Sequence, residues 1–254
     1  MSDVEEEIQA RVEHLLTAQP TAPAEARRLR RSFEVVARAR QSRRHVAIEI
    51  EVDSEFAEAY RRPGQYVTLK VEGWPAHFFV VAHQSGPNRW EFLVDRGGEL
   101  GPALEELTPG DEISVSLPEG AGFDLFEAVG RRALLFCTGS GVATMRPLVE
   151  AWLQDKEARP QEIALYYGER QVDDFAYEDL FARWEAAGVE VYRAVEQGGG
   201  EALPHRYVQD VLEVHQPSLQ EAIAYLSGAP VMIKMVALRL MRNGIAPSRL
   251  KINI

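Results

Sequence analysis

The residues with the clearest chemical capacity lie in the segment ALLFCTGSGVATMRPLVEAWL (133–153), where an apolar run ends in a glycine turn that opens directly into an amphipathic helix. Gly139 and Gly141 allow a tight turn and close backbone approach, so amides at the helix start can face a pyrophosphate with help from the helix dipole. Ser140 and Thr144 add hydroxyl donors. A second glycine turn, YLSGAPVM (225–232), feeds another helix and places Ser227, Gly228 and Met232 at the carboxyl edge of the same sheet. Any doubly wound sheet needs glycines at its switch points, so neither motif alone establishes nucleotide binding.

The elements that must carry these turns follow from hydrophobic period. From about Ser32, the segments SFEVVARA, HVAIEIEV, QYVTLKVE, HFFVVAHQ, RWEFLVDR and DEISVSL alternate with period two. They predict a six-stranded antiparallel β-barrel with one brief helix near Leu100–Leu107. After Gly130, strand-like RALLFCT, EIALYYG, VEVYRAV, AIAYLSG and LKINI alternate with helical segments near 143–155, 175–187, 204–214 and 229–243. That alternation predicts a five-stranded parallel, Rossmann-like sheet with helices on both faces. The glycine-rich EGAGFDLFEAVGRR separates the two patterns. The expected division is a helical extension over 1–31, a barrel over 32–128 and an α/β domain over 129–254.

Ser2 and Glu5 have capping-box spacing, and Val4, Ile8, Val12, Leu15 and Leu16 share one helical face up to the Pro20–Pro23 break. This predicts an amphipathic helix that covers part of the main body. Residues 196–204, EQGGGEALP, read as a loop over the sheet edge or cleft.

Composition removes several function classes. With 254 residues and 46% hydrophobic content, the chain can bury a substantial core. A single cysteine, Cys137, excludes an intrachain disulfide framework and a four-cysteine iron-sulfur cluster, and it reads as a small buried apolar residue. His14, His45, His83, His205 and His215 lack metal-ligand spacing and read as ordinary surface or partly buried residues, so no metal site is expected. No run of about 18 apolar residues is present to insert into a membrane, and the charged N-terminus does not resemble a signal peptide. The expected setting is cytoplasmic. The net charge of −11 disfavours nucleic acid, and the basic run over 25–45 reads as a solvated strand face.

Five segments then stand in register: PGQYV, LFCTGSGVATMRPL, ALYYGERQVDDFAYEDLF, HRYVQDVL and YLSGAPVM. In order and spacing they resemble the ferredoxin-NADP reductase superfamily over residues 32–254. The resemblance implies an FAD-binding barrel, a domain that binds NADH or NADPH, and hydride transfer where the two meet. It assigns Gly64, Gln65, Tyr66, His77, Phe79, Val80, Gly97 and Gly98 to the flavin side. It assigns Thr138, Gly139, Ser140, Gly141, Thr144, Arg170, Gly228 and Met232 to the nicotinamide nucleotide. Ser227 and Phe79 fall at the catalytic positions. Arg170 falls where relatives meet the adenosine ribose, without distinguishing NADPH from NADH.

The departures from the family pattern concentrate on the flavin. HFFV stands where the family has Arg-x-Tyr-Ser/Thr, so His77 replaces a bidentate guanidinium, Phe79 retains the ring and Val80 offers no hydroxyl. Arg61, Arg62 and Arg96 are candidates to restore the charge. Gly101 and Pro102 stand where a serine or threonine usually follows the paired glycines, with Glu99 opposing an anion. Ser227 replaces a cysteine and Ala229 a proline. The chain ends in LKINI without the trailing aromatic of many relatives. Two functions remain open: a flavin-dependent NAD(P)H oxidoreductase serving a separate electron acceptor, or a nucleotide-binding regulatory or scaffold subunit without efficient redox activity. In the first, the basic 27–45 region is a candidate contact for an acidic carrier. The oligomeric state is not legible.

Overall fold

The computed structural model describes residues 3–17 and 29–253; the expected Ser2 cap and the proline break after the first helix lie outside the described residues. The first sheet contains β1 (Arg30–Arg40), β2 (His45–Glu51), β3 (Tyr66–Lys70), β4 (His77–Val80), β5 (His83–Gly86), β6 (Arg89–Asp95) and β7 (Glu112–Ser116). They form a seven-stranded sheet in the order β4-β3-β7-β1-β2-β6-β5, and the pairs are antiparallel.

Seven strands replace the expected six because HFFVVAHQ is divided. Its first half pairs with β3 and its second with β6. Between them, the Val81 N–H donates to Gln65 O (3.4 Å) and the Ala82 N–H to Glu91 O (2.8 Å). The chain changes partner at this buried corner, and the two edge strands become sequence neighbours, which curls the sheet toward a barrel. Hydrophobic alternation runs straight through such a corner, so the pattern does not reveal it. Val35, Ile48, Val67, Leu69, Trp90, Phe92 and Val115 fill the interior.

A second short helix joins the expected one. Besides α3 (Gly101–Glu106), the barrel carries α2 (Ser54–Ala59), started by Asp53, whose side chain accepts the Phe56 N–H. Its Phe56 is fully buried beside Phe33 and Trp90.

The second sheet is parallel, in the order β10-β9-β8-β11-β12. Its strands are β8 (Arg132–Thr138), β9 (Glu162–Glu169), β10 (Val189–Val195), β11 (Ala222–Ser227) and β12 (Leu250–Asn253). Helices α4 (Val142–Gln154) and α5 (Glu178–Ala186) pack on one face. Helices α6 (Val208–His215) and α7 (Pro230–Arg242) pack on the other. Strand β9 is buried from Ile163 to Glu169, as a central parallel strand covered on both faces must be. Strand order reverses between β8 and β11, which puts the topological switch point between the two glycine turns.

Helix α1 (Asp3–Thr17) lies against α7: Val12 is fully buried in that cluster, and Lys234 pairs with Glu13 at 3.1 Å. Residues 196–204 carry neither helix nor strand.

Candidate functional site

A cleft of about 690 Å³ opens where the barrel meets the carboxyl edge of the parallel sheet. One wall comes from the barrel, with Tyr66, Phe78, Phe79 and Val80, and the other from the glycine turns after β8 and β11. The volume lies in the ordinary range of small-molecule sites.

The two glycine turns are interlocked. Gly139 has φ +57°, a left-handed conformation, with open space around the Cβ position. Gly141 has an ordinary helical φ, and a Cβ there would lie 2.5 Å from Ser227 O and 2.9 Å from Gly228 N. Gly228, at φ +124°, has Thr138 Oγ1 and O at 2.5 and 2.6 Å from its Cβ position. The close approach expected at Gly141 is therefore to the neighbouring strand end, while Gly139 faces free space. Thr138 Oγ1 accepts the Ala229 N–H at 2.9 Å, stitching β8 to the start of α7. Ser227 and Thr144 hydroxyls lie 3.0 Å apart, both buried, so Ser227 is held in place at the cleft. Ser140, Arg170 and Met232 also line the cleft.

On the barrel wall the aromatic surface is wider than the sequence suggested. The Phe78 ring meets Tyr66 edge-to-face at 5.1 Å, while the Phe79 ring packs toward the core against Phe92 at 6.5 Å. Strand alternation puts Phe78 and Phe79 on opposite faces, and both reach the cleft at this sheet edge.

The remaining flavin-side residues lie outside the cleft lining. Gln65 Oε1 accepts the Arg61 and Arg62 N–H groups (2.6 and 3.0 Å) and Nε2 donates to Gly120 O (3.1 Å), so its amide braces its own loop. Gly64, at φ +83°, is fixed by the Phe123 ring, and its carbonyl accepts Asn253 Nδ2 at 2.6 Å. His77 lies 3.3 Å from the exposed Glu99. The Gly97 N–H donates to Asp95 Oδ1 and the Gly98 N–H to Asp95 O, each at 3.0 Å. At Gly101 a Cβ would lie 2.3 Å from Asp95 O, which leaves no room for a serine or threonine side chain. The candidate compensating arginines are engaged elsewhere, Arg96 with Glu105 (2.6 Å) and Arg62 with Asp124 (3.4 Å), while Arg61 lies outside the lining.

Buried polar contacts lock the two sheets together. Arg146 meets Glu91 at 2.7 Å, and the Tyr177 hydroxyl donates to the same oxygen at 2.7 Å, with the guanidinium 4.4 Å from the Tyr177 ring centre. His83 lies 3.2 Å from Glu150. Against the upward pull of burial, His83 and Arg146 hold Glu150 below the usual carboxylate range. Arg43 binds buried Asp174 through two contacts of 2.9 and 3.0 Å. Among the described residues no cluster of three or more His, Cys, Asp or Glu is placed to hold a metal ion, and no helix is long and apolar enough to cross a membrane.

Among the cleft residues that escaped the sequence reading are three charged ones on neighbouring elements, Arg44, Asp95 and Glu169. Arg44 pairs with Asp95 through contacts of 2.9 and 2.5 Å. That guanidinium holds Asp95 low against the opposing effect of burial. Glu169 is buried at the end of β9, and burial pushes it up to about 7. His45, read as ordinary, is fully buried against Asp174; burial lowers its pKa. Cys137 is fully buried, which raises its thiol.

A curled antiparallel sheet, a parallel sheet and a cleft at the switch point of the latter form an architecture shared with solved reductases. The oxidoreductase NAD-binding domain family matches residues 135–238. The chain is 25% identical over 216 residues to sulfhydrogenase 2 subunit gamma of Pyrococcus furiosus, covering 78% of this chain and 74% of that one. Among solved structures, a ferredoxin reductase in carbazole 1,9a-dioxygenase superposes with TM-score 0.74 at 22% identity, over 91% of this chain and 70% of that one. A ferredoxin NADP+ reductase from Neisseria gonorrhoeae with bound FAD and NADP superposes with TM-score 0.71 at 16% identity, over 88% and 97%. The parallel half of the chain thus matches the oxidoreductase NAD-binding domain family, and the whole chain shares the fold of these reductase structures.

Proposed function

We propose that this chain is an NAD(P)H-dependent flavin reductase that takes hydride from a nicotinamide onto FAD at the cleft and delivers electrons to a separate acceptor protein. The observation that carries this reading is the open junction, where an aromatic barrel wall faces the glycine turns of the parallel sheet across about 690 Å³. The names of similar proteins, a sulfhydrogenase subunit gamma and a ferredoxin reductase in carbazole 1,9a-dioxygenase, support a role beside a partner.

The residues present fit the ring of a flavin better than its phosphates. Tyr66, Phe78 and Val80 offer an apolar wall that excludes water from a flat ring. At the phosphate end, His77 lies against Glu99 and the Gly97 and Gly98 amides are bonded to Asp95, so FAD is held weakly. When bound, FAD supplies the two-electron to one-electron conversion. The backbone at 139–141 offers amides to a dinucleotide pyrophosphate, the Val142 N–H being spent within the turn, and Thr144 fixes the Ser227 hydroxyl beside it. The Arg146–Glu91–Tyr177 contacts keep the walls at a constant separation, the orientation on which hydride transfer depends.

On the basic stretch, Arg31 is engaged by Asp53 and Glu55, and Arg43 and Arg44 by Asp174 and Asp95. An acidic carrier therefore finds these three guanidiniums already paired. The weak phosphate end favours the second reading, a nucleotide-binding subunit without efficient redox activity. Steady-state NADH or NADPH oxidation with ferricyanide, with and without added FAD, separates the two. FAD-dependent turnover supports the reductase, and none at saturating FAD supports the subunit.

A further inference from the structure

Glu169 sits where the two halves meet, and its surroundings leave its charge unsupported. It ends β9, one residue past Gly168, which pairs in register with Thr138 at the glycine turn. Its side chain is 1% exposed. Oε1 accepts the Tyr167 hydroxyl at 2.8 Å, and Oε2 is a buried atom with no hydrogen-bond partner. A carboxylate in such a position needs a cation or several donors to stay ionised.

The charged neighbours do not provide one. From β2, Arg44 is committed to Asp95 of β6 through two contacts. His45 Nδ1 lies 3.9 Å from Glu169 Oε1, but 3.1 Å from the Asp174 carbonyl. The Ser42 hydroxyl lies 3.0 Å from the same Nδ1, so that atom is occupied by neutral partners, and Nε2 is left without a partner. Asp174, in the turn after β9, adds negative charge and is itself held by Arg43. On β8, Cys137 is a buried thiol. Glu196, after β10, donates its N–H to the Glu169 backbone carbonyl and brings another acid to the cleft. Arg170 is exposed at the rim. Burial dominates, and the Tyr167 hydroxyl, the Arg44 charge and the Arg170 amide offset it only in part, so the carboxyl titrates at about 7.

We propose that Glu169 is a positioning residue of the cleft, a buried acid that must be neutral for an anionic dinucleotide to bind, so that binding takes up a proton. This rests on the dinucleotide reading of the cleft. Neighbouring strands run about 4.8 Å apart. A pyrophosphate on the amides after Thr138 therefore lies within about 10 Å of this carboxyl, close enough for charge to be felt. Its negative charges favour the protonated acid, and linkage requires the reverse as well: deprotonation weakens binding.

The test uses the full chain and ADP-ribose, which carries the pyrophosphate and adenosine but transfers no hydride. It also lacks a 2′-phosphate, whose second ionisation near about pH 6 would confuse the result. Calorimetric titration at about pH 6.5, 7.5 and 8.5, repeated in buffers of different ionisation enthalpy, reads protons taken up and Kd together. The expected result is fractional proton uptake around neutrality and a Kd that weakens by up to about tenfold per pH unit above about 7. Glu169→Gln should abolish both. Binding by the wild type with no proton uptake overturns the role of Glu169 and leaves the dinucleotide reading standing, and this arm needs no variant to fold. A folded Glu169→Gln protein that keeps the wild-type pH slope also overturns it. Absence of ADP-ribose binding at every pH overturns the dinucleotide reading together with the proposal.

Discussion

Gly141→Ala isolates what the first glycine turn is for. The backbone at Gly141 is helical, so alanine meets no conformational penalty, and the whole effect comes from the added methyl. That methyl would stand 2.5, 2.7 and 2.9 Å from Ser227 O, Ser227 C and Gly228 N, which are backbone atoms of an adjacent central strand and cannot rotate away. Overpacking of this kind costs about 1–3 kcal/mol, and an all-backbone clash belongs at the upper end. For a chain of this size, about 3 kcal/mol lowers Tm by about 6–12 °C. The control is Gly139→Ala, which meets no atom but must adopt φ +57°, at a cost of about 1–2 kcal/mol. Thermal denaturation followed by far-UV circular dichroism should rank the two, with Gly141→Ala the more damaging. Displacing the Ser227–Gly228 turn should also weaken NADH binding in the surviving folded fraction. A Gly141→Ala protein within about 0.5 kcal/mol of wild type would refute the interlocked-turn reasoning.

Other perturbations test separate parts of the molecule. Arg146→Ala leaves Glu91 buried with Tyr177 alone, and urea unfolding should show a loss of about 3 kcal/mol; under about 1 kcal/mol would mean the junction does not depend on this pair. His77→Arg alone directs the new guanidinium to Glu99, whereas His77→Arg with Glu99→Ser should tighten FAD retention about tenfold in equilibrium dialysis. Equal retention by the two proteins would count against this as the phosphate end. Glu169 rises from an ordinary 4.5 to about 7 on folding, so its cost to stability is absent below pH 4.5, grows through that window and is complete above it. Glu169→Gln should therefore gain about 2 kcal/mol relative to wild type at about pH 8 and little at about pH 4.5; a pH-independent difference would contradict the burial argument.

Much of the parallel half was legible because its physics is local. An apolar run, a glycine turn and a helix define each βα unit, and Gly139 and Gly228 do adopt left-handed backbone conformations. What stayed hidden depends on partners distant in sequence. Gly141 looked like a surface for ligand approach, yet the atom it makes room for is Ser227 O, on a strand about 86 residues later. The corner at Val81–Ala82 is invisible because alternation continues through a change of hydrogen-bonding partner. Helix α2 is six residues long, too short for periodicity, and only the Asp53 cap marks its start. His45 reads as an ordinary histidine and nothing singles out Glu169, because their burial arises when β2 docks against the turn after β9.

The central claim is that the junction lets a nicotinamide meet a flavin held on the barrel. Anaerobic titration of the FAD-reconstituted protein with NADH and with NADPH, followed by visible absorbance, tests it most directly. Loss of the flavin bands is expected at about one equivalent of at least one of the two nucleotides. Bound FAD whose spectrum neither nucleotide changes, in a folded protein that still binds ADP-ribose, would contradict it.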